Sequence, residues 1–418
     1  MTYPTLLASI LSLSHADLTP RKSVGSAIAN HPSWVIIADH TANEAAIEEG
    51  PQSRTLRSEA VIGPAYGFPS GRGVTMNSPA IETEAELEAL LSEPTVEVIE
   101  TLGRLPGDIL LLGVAGKMGP TLARMARRAA DASGTSRRVI GVSRFSAPGS
   151  QEGLAAHGVE TISCDLLDEA ELRKLPDAPH VIYLAGKKFG STGDEATTWL
   201  MNAYLPALVA KRYRDSRIVA FSSGNIYGLV PAASAGSREE DPPRPVGEYA
   251  MSCLARERIF EAFSRSQQTP MALIRLNYAC ELRYGVVVDL AQKVAAGEPI
   301  DLGMGYLNTI WQGDANALTL RALEHTATPP TVINLTGPER LSVRTVAERL
   351  GQLMNRPVRL LGTEADSALL NDARQGIQRL GTLRVNADRL IERVAAWVSR
   401  GGTSLGKPTH FESRDGTF

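Results

Sequence analysis

From residue 107 onward the chain alternates short, unbroken apolar runs with longer stretches in which apolar positions recur every three or four residues. The unbroken runs predict strands over 109–112, 139–142, 159–164, 180–184, 218–222 and 271–276. The periodic stretches predict helices over 122–132, 196–214 and 249–264. Strands that are apolar on both faces and separated by helices belong to a parallel sheet covered on both sides, so the expected class is α/β with a doubly wound sheet. Beyond Tyr278 the pattern loosens into mixed helices and short strands, among them 332–335 and 358–361, and 279–418 is expected to form a smaller C-terminal α/β lobe. Ahead of the sheet, 82–91 and 96–102 are helical in pattern and make a lead-in to a first domain over 76–278. Residues 1–75 mix Ser, Pro, Gly and charges without sustained periodicity and read as a poorly structured extension, with Met76 as the expected natural start.

Composition narrows the class of partner. At 418 residues with 43% hydrophobic and 21% charged positions the chain is an ordinary globular protein, and its net charge of -3 offers no field for nucleic acid. The cluster Arg124, Arg127 and Arg128 reads as the solvated side of an amphipathic helix. Three cysteines, Cys164, Cys253 and Cys280, lack metal-ligand spacing, so no metal site is expected and a reducing cytoplasm suits the chain. The apolar run 6–13 is too short to cross a bilayer, and no membrane segment is expected.

The candidate chemistry starts at the first strand, which runs from Asp108 into the turn Gly113-Val-Ala-Gly116-Lys117-Met118-Gly119 and straight on into a helix. This arrangement suits a dinucleotide pyrophosphate: Gly113 permits the tight turn, Gly116 the approach of phosphate, and Gly119 close packing of helix on strand. The helix N-terminus then faces the anion, as in a Rossmann domain. The second strand ends at Ser143 and Arg144, where an acidic residue would bind a ribose 2′-OH and repel a 2′-phosphate. Arg144, with Lys117 as a second cation, makes NADP the expected cofactor ahead of NAD, although both cations can also be read as simply exposed.

Three further segments follow in order: Phe221-Ser-Ser223-Gly-Asn225-Ile-Tyr-Gly228, the loop Glu239-Glu-Asp-Pro-Pro-Arg-Pro245, and Tyr249-Ala-Met-Ser-Cys253 opening a helix. Together with the glycine turn, this set resembles the extended short-chain dehydrogenase/reductase superfamily, specifically its NAD(P)-dependent sugar epimerase/dehydratase group, from residue 107 to beyond 340. The resemblance implies that Asp165 and Leu166 contact the adenine and that Ala185 and Gly186 lie beside the cofactor. It makes Asn202 the structural and catalytic asparagine, Ser223 the catalytic Ser/Thr and Tyr249 the catalytic tyrosine. It also implies a homodimer paired through the helices over 196–214 and 249–264. In that family a phenolate at Tyr249 would take the substrate proton while Ser223 fixes the same oxygen.

Four residues after its tyrosine the family carries a lysine that lowers the phenol pKa, and this chain has Cys253 there, read as a small packing residue. At roughly 4 Å and an effective dielectric of about 20 the missing cation is worth on the order of 4 kcal/mol, or about three pKa units. Candidate replacements are Lys187, Lys188, Arg256 and the positive nicotinamide ring. Dehydratases of the family carry an acidic pair after the Ser/Thr; Gly224 and Asn225 stand in those places, which disfavours dehydration. For substrate, the resemblance points to Lys187, Asn225, Asn277 beside Arg275, Arg283 with Tyr284, and Trp311, the last as a sugar-stacking ring or a core residue. The tail 407–412 is too polar to interpret, and His410 reads as a surface residue. The expected function is therefore NAD(P)-dependent oxidation-reduction or epimerisation of a carbohydrate-like small molecule. The alternative is a regulator that binds NAD(P) with weakened catalysis.

Overall fold

The computed structural model describes residues 81–417; the expectations for 1–75 and Met76 lie outside them. Two helices lead in. In α1 (Glu84–Leu91) a capping box closes the first turn, Glu86 N donating to Thr83 Oγ1 at 3.2 Å and Thr83 N to the Glu86 carboxylate at 3.0 Å. In α2 (Val96–Arg104) Thr95 caps Val98 N. Then come β1 (Ile109–Leu112), α3 (Gly119–Ala132), β2 (Val139–Ser143), α4 (Ser150–Ala155), β3 (Glu160–Ser163), α5 (Glu169–Lys174) and β4 (His180–Tyr183). After them follow α6 (Glu195–Trp199), a π-helical turn Leu200–Tyr204, α7 (Leu205–Arg212), β5 (Arg217–Ser223), α8 (Gly247–Gln267) and β6 (Met271–Leu276). The remaining main elements are α9 (Val286–Ala296), α10 (Gln312–Arg321), β7 (Thr331–Leu335), α11 (Val343–Met354), α12 (Arg374–Leu380) and α13 (Ala387–Ser399).

The seven strands form one parallel sheet in the order β7-β6-β5-β4-β1-β2-β3. Chain order reverses between β1 and β4, and that switch point opens a crevice at the carboxyl ends of the strands. One face of the sheet packs on α2, α3 and α10 through Leu102, Leu122, Met125 and Leu318; the other packs on α7 and α8 through Leu208, Val209 and Phe260. This is the doubly wound fold the apolar runs predict.

The division at residue 278 needs correcting. The strand expected over 332–335 in the second lobe is instead the seventh strand of the main sheet, paired with β6 from Thr331↔Ala272 to Leu335↔Leu276. Conversely, α1 contributes Leu87 and Leu91 to the core that α9, α11 and α13 build in the second lobe. A five-residue apolar strand carries no mark of which sheet it joins, so periodicity alone could not place it.

Candidate active site

The glycine turn is built for close approach. Gly113 has φ +86°, and a Cβ there would lie 2.7 Å from Ala185 N; a Cβ on Gly119 would overlap the Val114 carbonyl. Gly113 N donates to Val142 O at 2.8 Å, which fixes the turn over the end of β2. No side chain caps α3 and its first turn holds no acid, so its leading amides are left for an anion. Gly116 and Gly186 are exposed, Met118 and Ala185 are buried beside them, and these residues fit a dinucleotide laid across the switch point. At the ends of β2 and β3, Ser143 and Asp165 are half-buried and Leu166 is buried, with Cys164 N donating to Ser143 O at 3.0 Å.

Lys117 departs from expectation. Its ammonium sits 2.9 Å from the ring centroid of Tyr284 in the second lobe, among Cys280, Glu281 and Asp289, and burial pulls its pKa down to about 7. It is therefore not a partner of Arg144, which stands exposed after β2.

Tyr249 lies in the first turn of α8 and Ser223 at the end of β5, and the phenol hydrogen-bonds the Ser223 hydroxyl and the Cys253 thiol. Ser223 Oγ donates to Asn225 Oδ1 at 2.9 Å and accepts from Asn225 N at 3.2 Å, so its orientation is set by the following turn. Burial, followed by the Cys253 thiol, pushes the phenol above its ordinary pKa; the Ser223 bond and the Arg256 charge oppose them. Cys253 is fully buried beside Ile226 and Tyr227, and burial raises its thiol, as a packing residue requires.

Asn202 occupies the π turn, where the helix register slips. Pro206 has no N–H to give the Asn202 carbonyl, which accepts from Arg256 Nε at 3.4 Å instead. The Asn202 side chain clasps the loop after β4: its Oδ1 accepts from Lys187 N at 2.8 Å and Arg256 Nη2 at 2.5 Å, while Nδ2 donates to Lys187 O at 2.8 Å and Ser252 Oγ at 3.0 Å. That clasp sorts the candidate cations. Lys187 turns to an ion pair with Asp194, and Arg256 is buried against Asn202 and the Phe221 carbonyl, 2.8 Å away. Lys188 stands over the Tyr249 ring, its Nζ 5.7 Å from the centroid, and burial brings its pKa down to about 8.

Of the proposed substrate residues, Asn225 and Asn277 border the Ser223 turn. Asn277 Nδ2 donates to Asn308 Oδ1 at 2.9 Å, and its Cβ lies 3.1 Å from where a Gly224 Cβ would stand. Two others are corrected. The Arg283 guanidinium is spent on Glu281, Glu84 and Glu88, tying α1 to the second lobe. Trp311 is 2% exposed in the second-lobe core with Arg393 5.5 Å from its ring, so it is the core residue and not a stacking platform. Arg275 is likewise structural, paired with Glu257 at 2.8 Å. Sequence reasoning missed Ser252 and Asp194; Ser252 was visible only as a hydroxyl one turn after Tyr249. Among the described residues no group of three or more His, Cys, Asp or Glu is arranged to hold a metal, and no helix is long and apolar enough to cross a membrane.

The family model described as NAD dependent epimerase/dehydratase matches residues 109–335. Among solved structures, dTDP-glucose 4,6-dehydratase from Bacillus anthracis in complex with NAD is 14% identical at TM-score 0.60, covering 70% of this chain and 97% of that one. UDP-glucuronic acid 4-epimerase from Bacillus cereus in complex with UDP-glucuronic acid and NAD is 17% identical at 0.58, covering 70% and 99%. UDP-glucose 4-epimerase from Thermotoga maritima with UDP-glucose is 17% identical at 0.59, also covering 70% and 99%. A comparison with curated protein sequences gave no match.

Proposed function

Because this chain belongs to the NAD-dependent epimerase/dehydratase family, we propose that it oxidises a hydroxyl of a nucleotide sugar or related sugar, or inverts that centre through a transient ketone. The observation that carries the reading is the placing of Tyr249, in the first turn of α8, beside Ser223 at the carboxyl end of β5, with the Lys188 ammonium 5.7 Å from the tyrosine ring centroid. Tyr249 takes the proton of the substrate hydroxyl, and Ser223 Oγ turns from Asn225 to donate to the same oxygen. Lys188 stands in for the lysine that Cys253 displaces, stabilising the phenolate. Asn202, held by Arg256 and Ser252, fixes the backbone of Lys187 and so presents Lys188. A bound nicotinamide cofactor supplies the hydride acceptor. Dehydration is disfavoured because an acid at residue 224 has no room: a Cβ there would come within 2.8 Å of Asn371 Oδ1.

The test is turnover of UDP-glucuronic acid, UDP-glucose and dTDP-glucose with NAD+ or NADP+, followed by cofactor absorbance and by NMR for epimers. Tyr249→Phe should lower the rate on the accepted sugar by about a thousandfold; equal rates would sink the assignment. Cofactor binding without turnover of any sugar would favour the regulatory reading that Cys253 alone suggests.

The preference for NADP now rests on Ser143 and Arg144. Arg144→Ala should raise KM for NADP+ by about tenfold with KM for NAD+ within about twofold, from loss of one charge-assisted contact. Lys117→Met should leave the NADP+/NAD+ ratio unchanged. A homodimer through the α6–α8 face is supported by exposed Trp199, Leu200, Tyr204 and Met251, and a cytoplasmic location by three free, buried cysteines.

A further inference from the structure

We infer that Asn371, brought in from the second lobe, binds the sugar hydroxyl on the carbon next to the one being oxidised; this rests on the reaction proposed for Tyr249 and Ser223. The site thereby selects sugars with a free hydroxyl at that neighbouring carbon.

Asn371 is 1% exposed. Its Oδ1 and Nδ2 have no partner among the described residues, and no other amide side chain there is buried with both atoms unpaired. An amide shut away from water without hydrogen bonds costs stability, so it calls for a use outside the fold itself. The backbone of the same residue is held from two sides. Asn308 Oδ1 accepts from Asn371 N at 3.4 Å, and Asn308 Nδ2 donates to Asn371 O at 2.5 Å. From the other side Asp372 N donates to Ser237 O at 2.8 Å and Ser237 N to Leu370 O at 2.9 Å. The Asn308 amide also accepts from Asn277 Nδ2 at 2.9 Å and donates to Gly337 O at 3.2 Å, tying the ends of β6 and β7 to this segment. Asn308 is thus fully used in fixing a residue whose own side chain is spare.

The spare amide lies against the turn that carries Ser223. Its Oδ1 and Nδ2 stand 2.8 and 2.9 Å from where a Cβ on Gly224 would be, and Gly224 directly follows Ser223 at the end of β5. Because residue 224 has no side chain, none of its own atoms screens the amide from that turn. Ser223 is itself 4% exposed, so a sugar that reaches its hydroxyl enters the same closed space. Consecutive Cα atoms are about 3.8 Å apart, which offsets the amide from Ser223 by about the step between neighbouring oxygens of a sugar ring. A carboxamide both donates and accepts and carries no charge, and so matches a hydroxyl. Arg374, the cation of the same segment, is paired with Asp372 at 2.5 Å and does not equip the place for a carboxylate or phosphate.

The experiment uses the full-length chain with Asn371→Leu, which keeps the volume and removes the amide, and Asn308→Leu as the structural comparison. The substrates are the accepted nucleotide sugar and its analogue lacking the hydroxyl next to the reacting one, UDP-glucose and UDP-3-deoxyglucose for oxidation at carbon 4. Wild type should lose about fiftyfold in kcat/KM on the deoxy analogue. Asn371→Leu should lose about fiftyfold on the parent sugar and treat the two alike within about threefold. Its thermal midpoint should equal or exceed that of wild type, because an unpaired buried amide has gone, whereas Asn308→Leu should melt lower. Undiminished discrimination in Asn371→Leu, or a midpoint that falls as far as in Asn308→Leu, would overturn the assignment and leave the amide to the fold or to bound water. If wild type turns over no sugar, the proposed reaction falls and calorimetric Kd values for UDP-glucose and UDP-3-deoxyglucose decide Asn371 separately. A gap that closes in Asn371→Leu keeps the contact, and equal affinities in wild type overturn it.

Discussion

Lys188→Met is expected to slow sugar oxidation at pH 7 about a hundredfold while making the folded protein more stable at that pH. A unit charge at roughly 6 Å and an effective dielectric of about 20 is worth about 3 kcal/mol, or two pKa units on the phenol, and the fraction of phenolate falls in proportion. The stability gain has the opposite origin. Burial depresses the Lys188 pKa from 10.5 to about 8, so the folded state disfavours the charged form. Between those two values the unfolded chain holds a proton that the folded chain has lost, and stability rises with pH. Below about 8 the burial penalty is present in full. The variant removes it, so its advantage in urea midpoint should be largest below pH 8 and fade by about pH 10.5. Adding Cys253→Lys to this variant should recover part of the rate, because residue 253 lies one turn after Tyr249 and both lysines would serve one phenol. A Lys188→Met enzyme as fast as wild type, or less stable at pH 7, would remove the residue from the mechanism.

Arg275→Met should cost about 3–5 kcal/mol of unfolding free energy. The guanidinium lies between β6 and α8, giving Nε and Nη2 to Glu257 at 3.0 and 2.8 Å and Nη1 to Tyr227 Oη and Glu239 O at 2.5 and 3.0 Å. Glu257 is 2% exposed, and without the arginine its charge is stranded in the core. Glu257→Leu on the same background should return most of the loss, since two apolar side chains cost less than one unpaired ion. Denaturant unfolding of the two single variants and the double one measures the coupling; additive losses would show that the pair does not act as a unit. Because α8 also carries Tyr249, Arg275→Met should raise KM as well.

The central strands were legible because they are apolar on both faces, and β1 and β6 match their expected limits to the residue, whereas edge strand β3, Glu160–Ser163, is only partly buried. The glycine turn was legible because Gly113 and Gly119 are demanded by backbone geometry, which no neighbour far away in sequence can alter. Side-chain direction was not. Lys117 was read as facing the cofactor ribose from its place in the turn, but the second lobe offers it the Tyr284 ring, and only the fold brings that ring near. Trp311 and Arg283 failed for the same reason: their partners, Arg393 and Glu84, are distant in sequence. The helix expected over 196–214 hid its π turn because Pro206 reads equally well as a residue in the first turn of a new helix. The tail escaped because it docks by single anchors such as Thr409 and Phe411, which leave no period to detect.

The late return of β7 to the sheet makes the two lobes inseparable by one cut. A fragment ending near residue 278 would leave β6, apolar and almost wholly buried, as a raw edge open to pairing with other chains. On a ribosome that edge stays uncovered until some fifty further residues have emerged, so the second lobe must wait, partly built, for the first to be completed.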